Sequence, residues 1–221
     1  MSFSQDERLA LCDLLEELGP DAPTLCEGWQ THDMAAHLWL RETDPLAMPG
    51  MIAAPLEGLT ERRMDALKRK LGYEELIGRI RKGPPRFSLF ALPGLDEAGN
   101  ATEYFVHHED VRRAQAPEFG MHAPRALDES AQEVCWKRVS SMGRLMVRRS
   151  PVAVSMQRLD AADGGPVGNP VRLGGEGEGV VLRGLASELL LFCFGRTEAA
   201  AVELRGAPED VVALQQASIG L

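Results

Sequence analysis

Long apolar runs are missing from this 221-residue sequence. The longest, Leu189–Phe194, falls far short of the roughly 20 residues that a helix needs to span a bilayer. The amino-terminal stretch MSFSQDERLALCDLLEELG carries acidic groups early and lacks a basic region followed by an apolar one, so we expect no signal peptide. The sequence therefore predicts a soluble protein that stays in the cytoplasm.

Positive charge is scarce relative to negative charge. The chain has 24 Lys and Arg against 33 Asp and Glu, which gives a formal net charge of -9 and a pI of about 5.1. Affinity for nucleic acid comes mainly from neutralising phosphates with Lys and Arg. We therefore expect neither nucleic acid nor an anionic membrane surface among the partners of this chain.

Cysteine is sparse and scattered. The four cysteines, Cys12, Cys26, Cys135 and Cys193, form no C-x-x-C pair. This spacing argues against a zinc knuckle and a thioredoxin-type redox motif. In a cytoplasmic chain we expect four free thiols that are buried or partly buried.

Helical periodicity dominates the first two-thirds of the chain. In the first segment Ser4 and Glu7 fit a capping box, and apolar residues then follow at helical spacing until Gly19 and Pro20. Further segments show the same periodicity or clear start and stop signals. The predicted helices run from about residue 4 to 18, 29 to 42, 61 to 82 with a pause at Gly72, 100 to 114, and 128 to 148.

The pattern changes after Pro151. VAVSMQRL alternates apolar and polar residues as a half-buried strand does, and PVRL, GVVLRG and AAVELRG predict further strands. ASELLLFCFGR and PEDVVALQQA predict helices, the second with Pro208 at its first position. The sequence thus predicts an α+β fold, with a helical bundle at residues 1–150 and a small α/β domain at residues 151–221.

Three residues of metal-ligand type occur at helical positions. Glu103 and His107 are four residues apart and project from one face of their predicted helix, and His37 lies on another predicted helix. Two imidazole nitrogens and one carboxylate suit zinc, nickel or iron(II), and three ligands leave one coordination position open. Facing helices of a bundle often deliver such ligands together. Asp110, three residues after His107, is placed to orient that imidazole.

Each of these residues also has an explanation without metal. Glu103 is three residues after Asn100 and could complete a capping box with it. His107 and His108 could be one buried and one solvated histidine, and His37 could be a core histidine with hydrogen-bond partners. The spacing E-x-x-x-H alone does not separate these alternatives from a metal site.

Three longer stretches resemble one known family. LCEGWQTHDMAAHLWLRE resembles the first motif of the mycothiol-dependent maleylpyruvate isomerase family, whose recurring tryptophan, aspartate and histidine correspond to Trp29, Asp33 and His37. NATEYFVHHEDVRRA resembles its second motif, with Glu103 and His107 on the ligand positions. GLASELLLFCFGR resembles a helix of its carboxy-terminal domain. The three matches lie in the family's order and span almost the whole chain.

The resemblance implies a DinB-like bundle of four-helix type followed by a sterol-carrier-like domain. It implies a divalent metal, zinc first among the candidates, held by His37, Glu103 and His107, with mycothiol or a similar low-molecular-weight thiol as cofactor. A metal can deprotonate a coordinated thiol, which gives a nucleophile for a small electrophilic substrate. In the family's isomerase the thiol adds to a cis double bond and leaves after rotation, so that the trans isomer forms.

Some features depart from the family pattern. Gln30 stands where the family has Ser or Thr as N-cap and is a poorer cap, although Thr31 could shift the helix start by one. HHEDVRR, with Arg112 and Arg113, more closely resembles an actinobacterial-type branch of the family than the isomerase itself. No single basic residue aligns with a substrate-binding arginine. The candidates are Lys68, Arg69, Lys70, Arg79, Arg81, Lys82 and Arg86.

The leading interpretation is a metal- and thiol-dependent isomerase or S-transferase acting on a small electrophile. A non-catalytic metal-binding or stress protein is the second, and a metal-dependent hydrolase with Asp33 as general base is the third. The first requires a cationic group beside the metal for the polar part of the thiol. The sequence leaves the substrate and the oligomeric state open.

Overall fold

The computed structural model describes residues 2–44, 57–86, 88, 91, 95–115 and 123–220. Within these ranges the chain forms eight helices and one four-stranded sheet, which is a mixed α+β fold. The chain divides into two compact units, Met1–Glu118 and Phe119–Leu221. In the ranges given, no helix combines the length and the apolar character that crossing a membrane would require.

Five helices are the main elements in the described part of the first unit. They are α1 (Phe3–Leu18), α2 (Thr31–Thr43), α3 (Glu57–Lys70), α4 (Tyr73–Lys82) and α5 (Leu95–Ala114). α1 ends at Gly19, whose φ of 77° lies in the left-handed region that glycine adopts without strain. A shared apolar core joins them, because residues spaced three and four apart face the same side of each helix. Its fully buried members include Leu11, Leu15, Met34, Ile77 and Ile80.

The predicted capping box at the start of α1 is wrong. Ser2 is the N-cap, so Ser4 lies inside the helix. Glu7 is buried, and its carboxylate is 2.9 Å from Nδ1 of His108. His108 is therefore buried too, and is not a solvated neighbour of His107. A partner 101 residues away decides the role of Glu7, which local spacing could not show.

A network of buried polar groups ties α1 to α2 and α5. Arg8 binds both carboxylate oxygens of Glu42, from Nη1 at 3.0 Å and from Nη2 at 2.7 Å. The hydroxyl of Tyr104 and the amide of Asn100 each donate to Glu42 Oε1 at 2.9 Å. Arg8 and Glu42 are only 3% and 4% exposed, so this is a buried ion pair in which each charge helps to compensate the other.

A sheet and three helices form the second unit. They are α6 (Glu129–Met146), β1 (Val154–Arg158), β2 (Val171–Gly174), β3 (Val180–Gly184), α7 (Ala186–Cys193), β4 (Glu203–Arg205) and α8 (Pro208–Gln215). The strand order is β2-β1-β3-β4. β1 runs parallel to β3, and the two outer pairs are antiparallel.

The strands and helices predicted after Pro151 are confirmed, including Pro208 at the start of α8. The burial of β1 differs from the expectation, because all five residues are buried and none faces solvent. β1 lies between β2 and β3 inside the sheet. The buried amide of Gln157 is satisfied by donating to the carbonyl of Val167 at 3.1 Å.

The helix α6 belongs to the second unit, although the sequence pattern places it in a bundle at residues 1–150. Gln132 on α6 donates to the hydroxyl of Ser187 on α7 at 3.2 Å and accepts from its backbone N–H at 3.1 Å. Arg158 on β1 donates to Glu133 on α6 at 2.8 Å. A cut at residue 150 would separate α6 from these partners. Independent folding of residues 1–150 stays a prediction.

Candidate metal centre

Two helices of the first unit bring the metal-ligand candidates together. α2 begins after Gln30, whose backbone N–H donates to Asp33 Oδ2 at 3.0 Å, and it carries His37 in its second turn. α5 carries Glu103 and His107 one turn apart. Donor atoms of His37, Glu103 and His107 all lie within 4.8 Å of one another.

Glu103 lies between the two imidazoles. Its Oε1 is 3.8 Å from Nε2 of His37 and 3.5 Å from Nε2 of His107. Ligand atoms around a tetrahedral ion with bonds of about 2.0–2.1 Å are about 3.3–3.4 Å apart. The two distances from Glu103 are thus a few tenths of an ångström longer than in a filled site, and the nitrogens of His37 and His107 lie within 4.8 Å of each other.

The imidazole of His37 is buried without a hydrogen-bond partner. Among the described residues neither ring nitrogen makes a hydrogen bond, and the residue is only 6% exposed. The ring of Trp29 packs on it with centroids 5.0 Å apart, after a turn that needs the positive φ of Gly28, 76°. A buried polar group without a partner costs about 1–3 kcal/mol. Among the described residues, none supplies the hydrogen bonds that the alternative of a satisfied core histidine requires.

The protonation states of His37 and Glu103 suit metal ligation. Burial lowers the pKa of His37, so the ring is neutral near pH 7 and has a lone pair to offer. Burial opposes ionisation of Glu103, but the imidazoles of His107 and His37 and the charge of Arg41 outweigh it and hold the pKa of Glu103 well below its usual range. A neutral nitrogen and an ionised oxygen are the forms that bind metal.

The opposite edge of the His107 ring faces Asp110 and Cys26. Nδ1 of His107 is 3.0 Å from Asp110 Oδ2, and the Cys26 thiol donates to the same oxygen at 3.4 Å. Burial works to lower the pKa of His107, but its contacts with Asp110, Cys26 and Glu103 raise it well above the usual value. The carboxylate of Asp110 favours a hydrogen on Nδ1, and the raised pKa favours a second proton on Nε2, toward Glu103. An ion bound at Nε2 would have to displace that second proton.

The capping-box explanation of Glu103 is also wrong. α5 begins at Leu95, five residues before Asn100, so Asn100 is not an N-cap and Glu103 is not the third residue of the helix. Asn100 instead accepts a hydrogen bond from Nη1 of Arg41. The carboxylate of Glu103 is therefore available to the two imidazoles.

Two neighbours of the group were not predicted as part of a site. Arg41, one turn after His37 on α2, places Nε 3.5 Å from Glu103 Oε1, and its spacing from His37 was a signal that could have found it. Cys26 was predicted only as a free thiol. All four cysteines are free, as predicted, but no local pattern links Cys26 to Asp110, 84 residues later.

Asp33 binds other groups in the structure. One of its oxygens accepts from the backbone of Gln30, and the other is 2.5 Å from Nζ of Lys68. Three of the seven basic candidates for substrate binding take part in ion pairs with acidic side chains. The pairs are Lys68 with Asp33, Arg79 with Glu75, and Arg81 with Asp13 and Glu16.

Across the described ranges, two groups of side chains could hold a metal ion. One is His37, Glu103 and His107, and the other is Cys26, His107 and Asp110. The first has the two imidazoles and the carboxylate that divalent transition metals bind, together with the unpartnered nitrogens of His37. Comparisons of the chain with protein-family models, with curated proteins and with solved structures find no match.

Proposed function

We propose that the first unit binds one divalent metal ion through His37, Glu103 and His107. The observation that carries this proposal is the buried imidazole of His37, which makes no hydrogen bond at either nitrogen with the described residues and lies beside a carboxylate and a second imidazole. Ligation would satisfy one nitrogen of His37 and offset the cost of its burial. The donor set favours zinc, with nickel and iron(II) as alternatives.

The residues around the group have separate tasks in this proposal. Asp110 would keep a proton on Nδ1 of His107, while Nε2 would release its proton and bind the ion. Trp29 packs against the ring of His37 in a tilted arrangement and helps to hold it in place. The side chain of Glu103 is 26% exposed, so the group opens to solvent on that side. Three protein ligands leave one coordination position for a small molecule that enters there.

The small molecule in this proposal is a low-molecular-weight thiol such as mycothiol, and the chain is a thiol-dependent isomerase or S-transferase acting on a small electrophile. When bound, a divalent ion lowers the pKa of a coordinated thiol and so supplies a nucleophilic sulfur. The sequence resemblance around His37 and Glu103 supports this assignment. Arg41, beside Glu103, supports it as well, because it provides a cationic group at the site. The DinB-like and sterol-carrier-like assignments rest on the same resemblance.

Measurement of the metal content tests the proposed metal binding. Untagged protein is incubated with zinc and desalted, and elemental analysis should find about one ion per chain. His107→Ala should abolish retention. The change His37→Ala is made in Cys26→Ser protein, because Cys26 is a nearby side chain that could replace the lost ligand. Loss of a residue that only orients a ligand weakens metal affinity about 10–100-fold, and we expect His37→Ala to weaken zinc affinity by more than that. His32→Ala is the matched control, because this histidine of α2 packs on Tyr73 instead.

The metal proposal fails if wild-type protein retains neither zinc nor nickel. Thiol binding is tested with cobalt-loaded Cys26→Ser protein, so that a new sulfur-to-cobalt absorption can come only from added mycothiol. Metal-free protein should bind the thiol much more weakly by calorimetry. An unchanged spectrum and no heat at saturating thiol would refute thiol dependence and favour a non-catalytic metal-binding protein.

A further inference from the structure

The nitrogen of His107 that faces away from Glu103 belongs to a second set of metal-ligand atoms. Nδ1 of His107 is 3.0 Å, and Sγ of Cys26 is 3.4 Å, from Asp110 Oδ2. Around a tetrahedral ion with a sulfur bond of about 2.3 Å, the nitrogen–oxygen and sulfur–oxygen separations are about 3.3 and 3.5 Å. The observed distances are within a few tenths of an ångström of these values.

Backbone hydrogen bonds hold Cys26 at this place. The N–H of Leu25 donates to the carbonyl of Asp110 at 3.1 Å, which fastens the loop to α5. The carbonyl of Cys26 accepts from the N–H of Trp29 at 3.0 Å, and its own N–H donates to the Thr24 hydroxyl at 3.1 Å. The sulfur is therefore positioned beside Asp110 in advance and does not have to move far to bind an ion.

The chemistry of this set differs from that of the first. A thiolate, an imidazole and a carboxylate together suit zinc, cobalt(II) and cadmium, and the thiolate selects such thiophilic ions over harder ones. Asp110 is fully buried and His107 is nearly so, which shields the charges from water. Cys26 is only partly buried, which gives an ion a path to the set.

We propose that Cys26, His107 and Asp110 form a second metal-binding group for thiophilic ions, alternative to the group of His37 and Glu103. A neutral imidazole has one lone pair, so the ring serves one ion at a time. With an ion on Nδ1, the remaining ring proton sits on Nε2 and points to Glu103 Oε1, 3.5 Å away. The thiol proton of Cys26 is released to solvent. The two groups therefore require opposite tautomers of His107, and a neutral ring cannot serve both at once.

The second group is tested in a variant protein in which the first group has lost one of its ligands. Cobalt(II) is added to His37→Ala protein, shown to be folded by circular dichroism, with no thiol added. We expect about one cobalt per chain and a thiolate-to-cobalt charge-transfer absorption. The absorption should be lost in His37→Ala/Cys26→Ser. It should remain in His37→Ala/Cys135→Ser, which removes one thiol from the second unit instead.

Folded His37→Ala protein that shows no charge-transfer absorption at saturating cobalt would overturn the proposal, as would absorption that survives Cys26→Ser. If His37→Ala does not fold, Glu103→Ala also disables the first group and takes its place with the same expected results. The zinc content of the Cys26→Ser protein tests the group of His37, Glu103 and His107 alone. The two proposed groups can therefore be refuted independently of each other.

Discussion

Substitution of Glu42 tests how much the buried polar network stabilises the packing of α2 against α1 and α5. Its carboxylate accepts hydrogen bonds from Arg8, Tyr104 and Asn100, at 2.7 to 3.0 Å. Replacing Glu42 by Ala removes the carboxylate that binds the guanidinium of Arg8, which is 3% exposed, through both of its oxygens. We expect this change to destabilise the first unit strongly, because breaking a buried ion pair by removing one partner is costly.

The expected magnitude follows from burial. Removing one partner of a buried ion pair costs about 3–5 kcal/mol, and we expect the upper half because two neutral donors also lose their acceptor. The matched control is Glu75→Ala on α4, whose pair with Arg79 has the same 2.7 Å length but side chains 52% and 43% exposed. An exposed helical pair of this kind contributes about 0.3–0.5 kcal/mol.

Urea denaturation followed by circular dichroism measures both effects. Glu42→Gln separates charge from shape, since it keeps the side-chain volume but removes the negative charge. The double change Arg8→Met/Glu42→Leu removes both charges and should recover most of the loss. A Glu42→Ala protein within about 1 kcal/mol of wild type, or a double variant no more stable than the single one, would refute the reasoning.

Two further predictions concern the surroundings of His107. Asp110→Asn should weaken zinc affinity about 10–100-fold in a chelator competition, whereas Asp33→Asn on α2 should change it little; equal affinities would contradict the orienting role. In native protein at pH 8, iodoacetamide should modify Cys26 first, because burial raises the pKa of Cys12 and of Cys193 to about 12. Peptide mapping by mass spectrometry measures the order, and equal rates for all three would contradict it.

Local sequence patterns predicted most elements of the fold, because helices and strands each impose a characteristic spacing of apolar residues on the sequence. The start of α5 was missed for a tertiary reason. Asn100 is a good N-cap residue and Gly99 before it disfavours helix, so the pattern suggested a start at residue 100. In the structure Arg41 donates to the Gly99 carbonyl at 2.7 Å and to the Asn100 side chain, which ties this turn to α2. A contact across 58 residues thus accompanies the longer helix.

Some features of the candidate site could likewise be predicted from the sequence, whereas others depend on tertiary contacts. Residue type and helical position made His37, Glu103 and His107 ligand candidates, and the family resemblance favoured them over the alternatives without metal. The structure brings donor atoms of the three within 4.8 Å of one another. The lack of hydrogen bonds at His37 among the described residues could not be predicted from sequence, because it depends on which side chains from other helices lie near the ring. The position of Cys26 beside Asp110 depends on a loop fastened to α5, and a single sequence does not reveal such pairs.

Helix α2 carries both the unpartnered imidazole of His37 and the anchor formed by Glu42. The hydrogen bonds of Glu42 to α1 and α5 oppose rotation of α2, so His37 stays directed at Glu103 even though its burial is costly. An ion would then meet ligands that are already in place, and binding energy would not be spent on ordering them. Glu42→Ala should therefore weaken zinc affinity as well as stability while all three ligands remain. A variant that is less stable but binds zinc as tightly as wild type would show that the ligands are ordered by the ion instead.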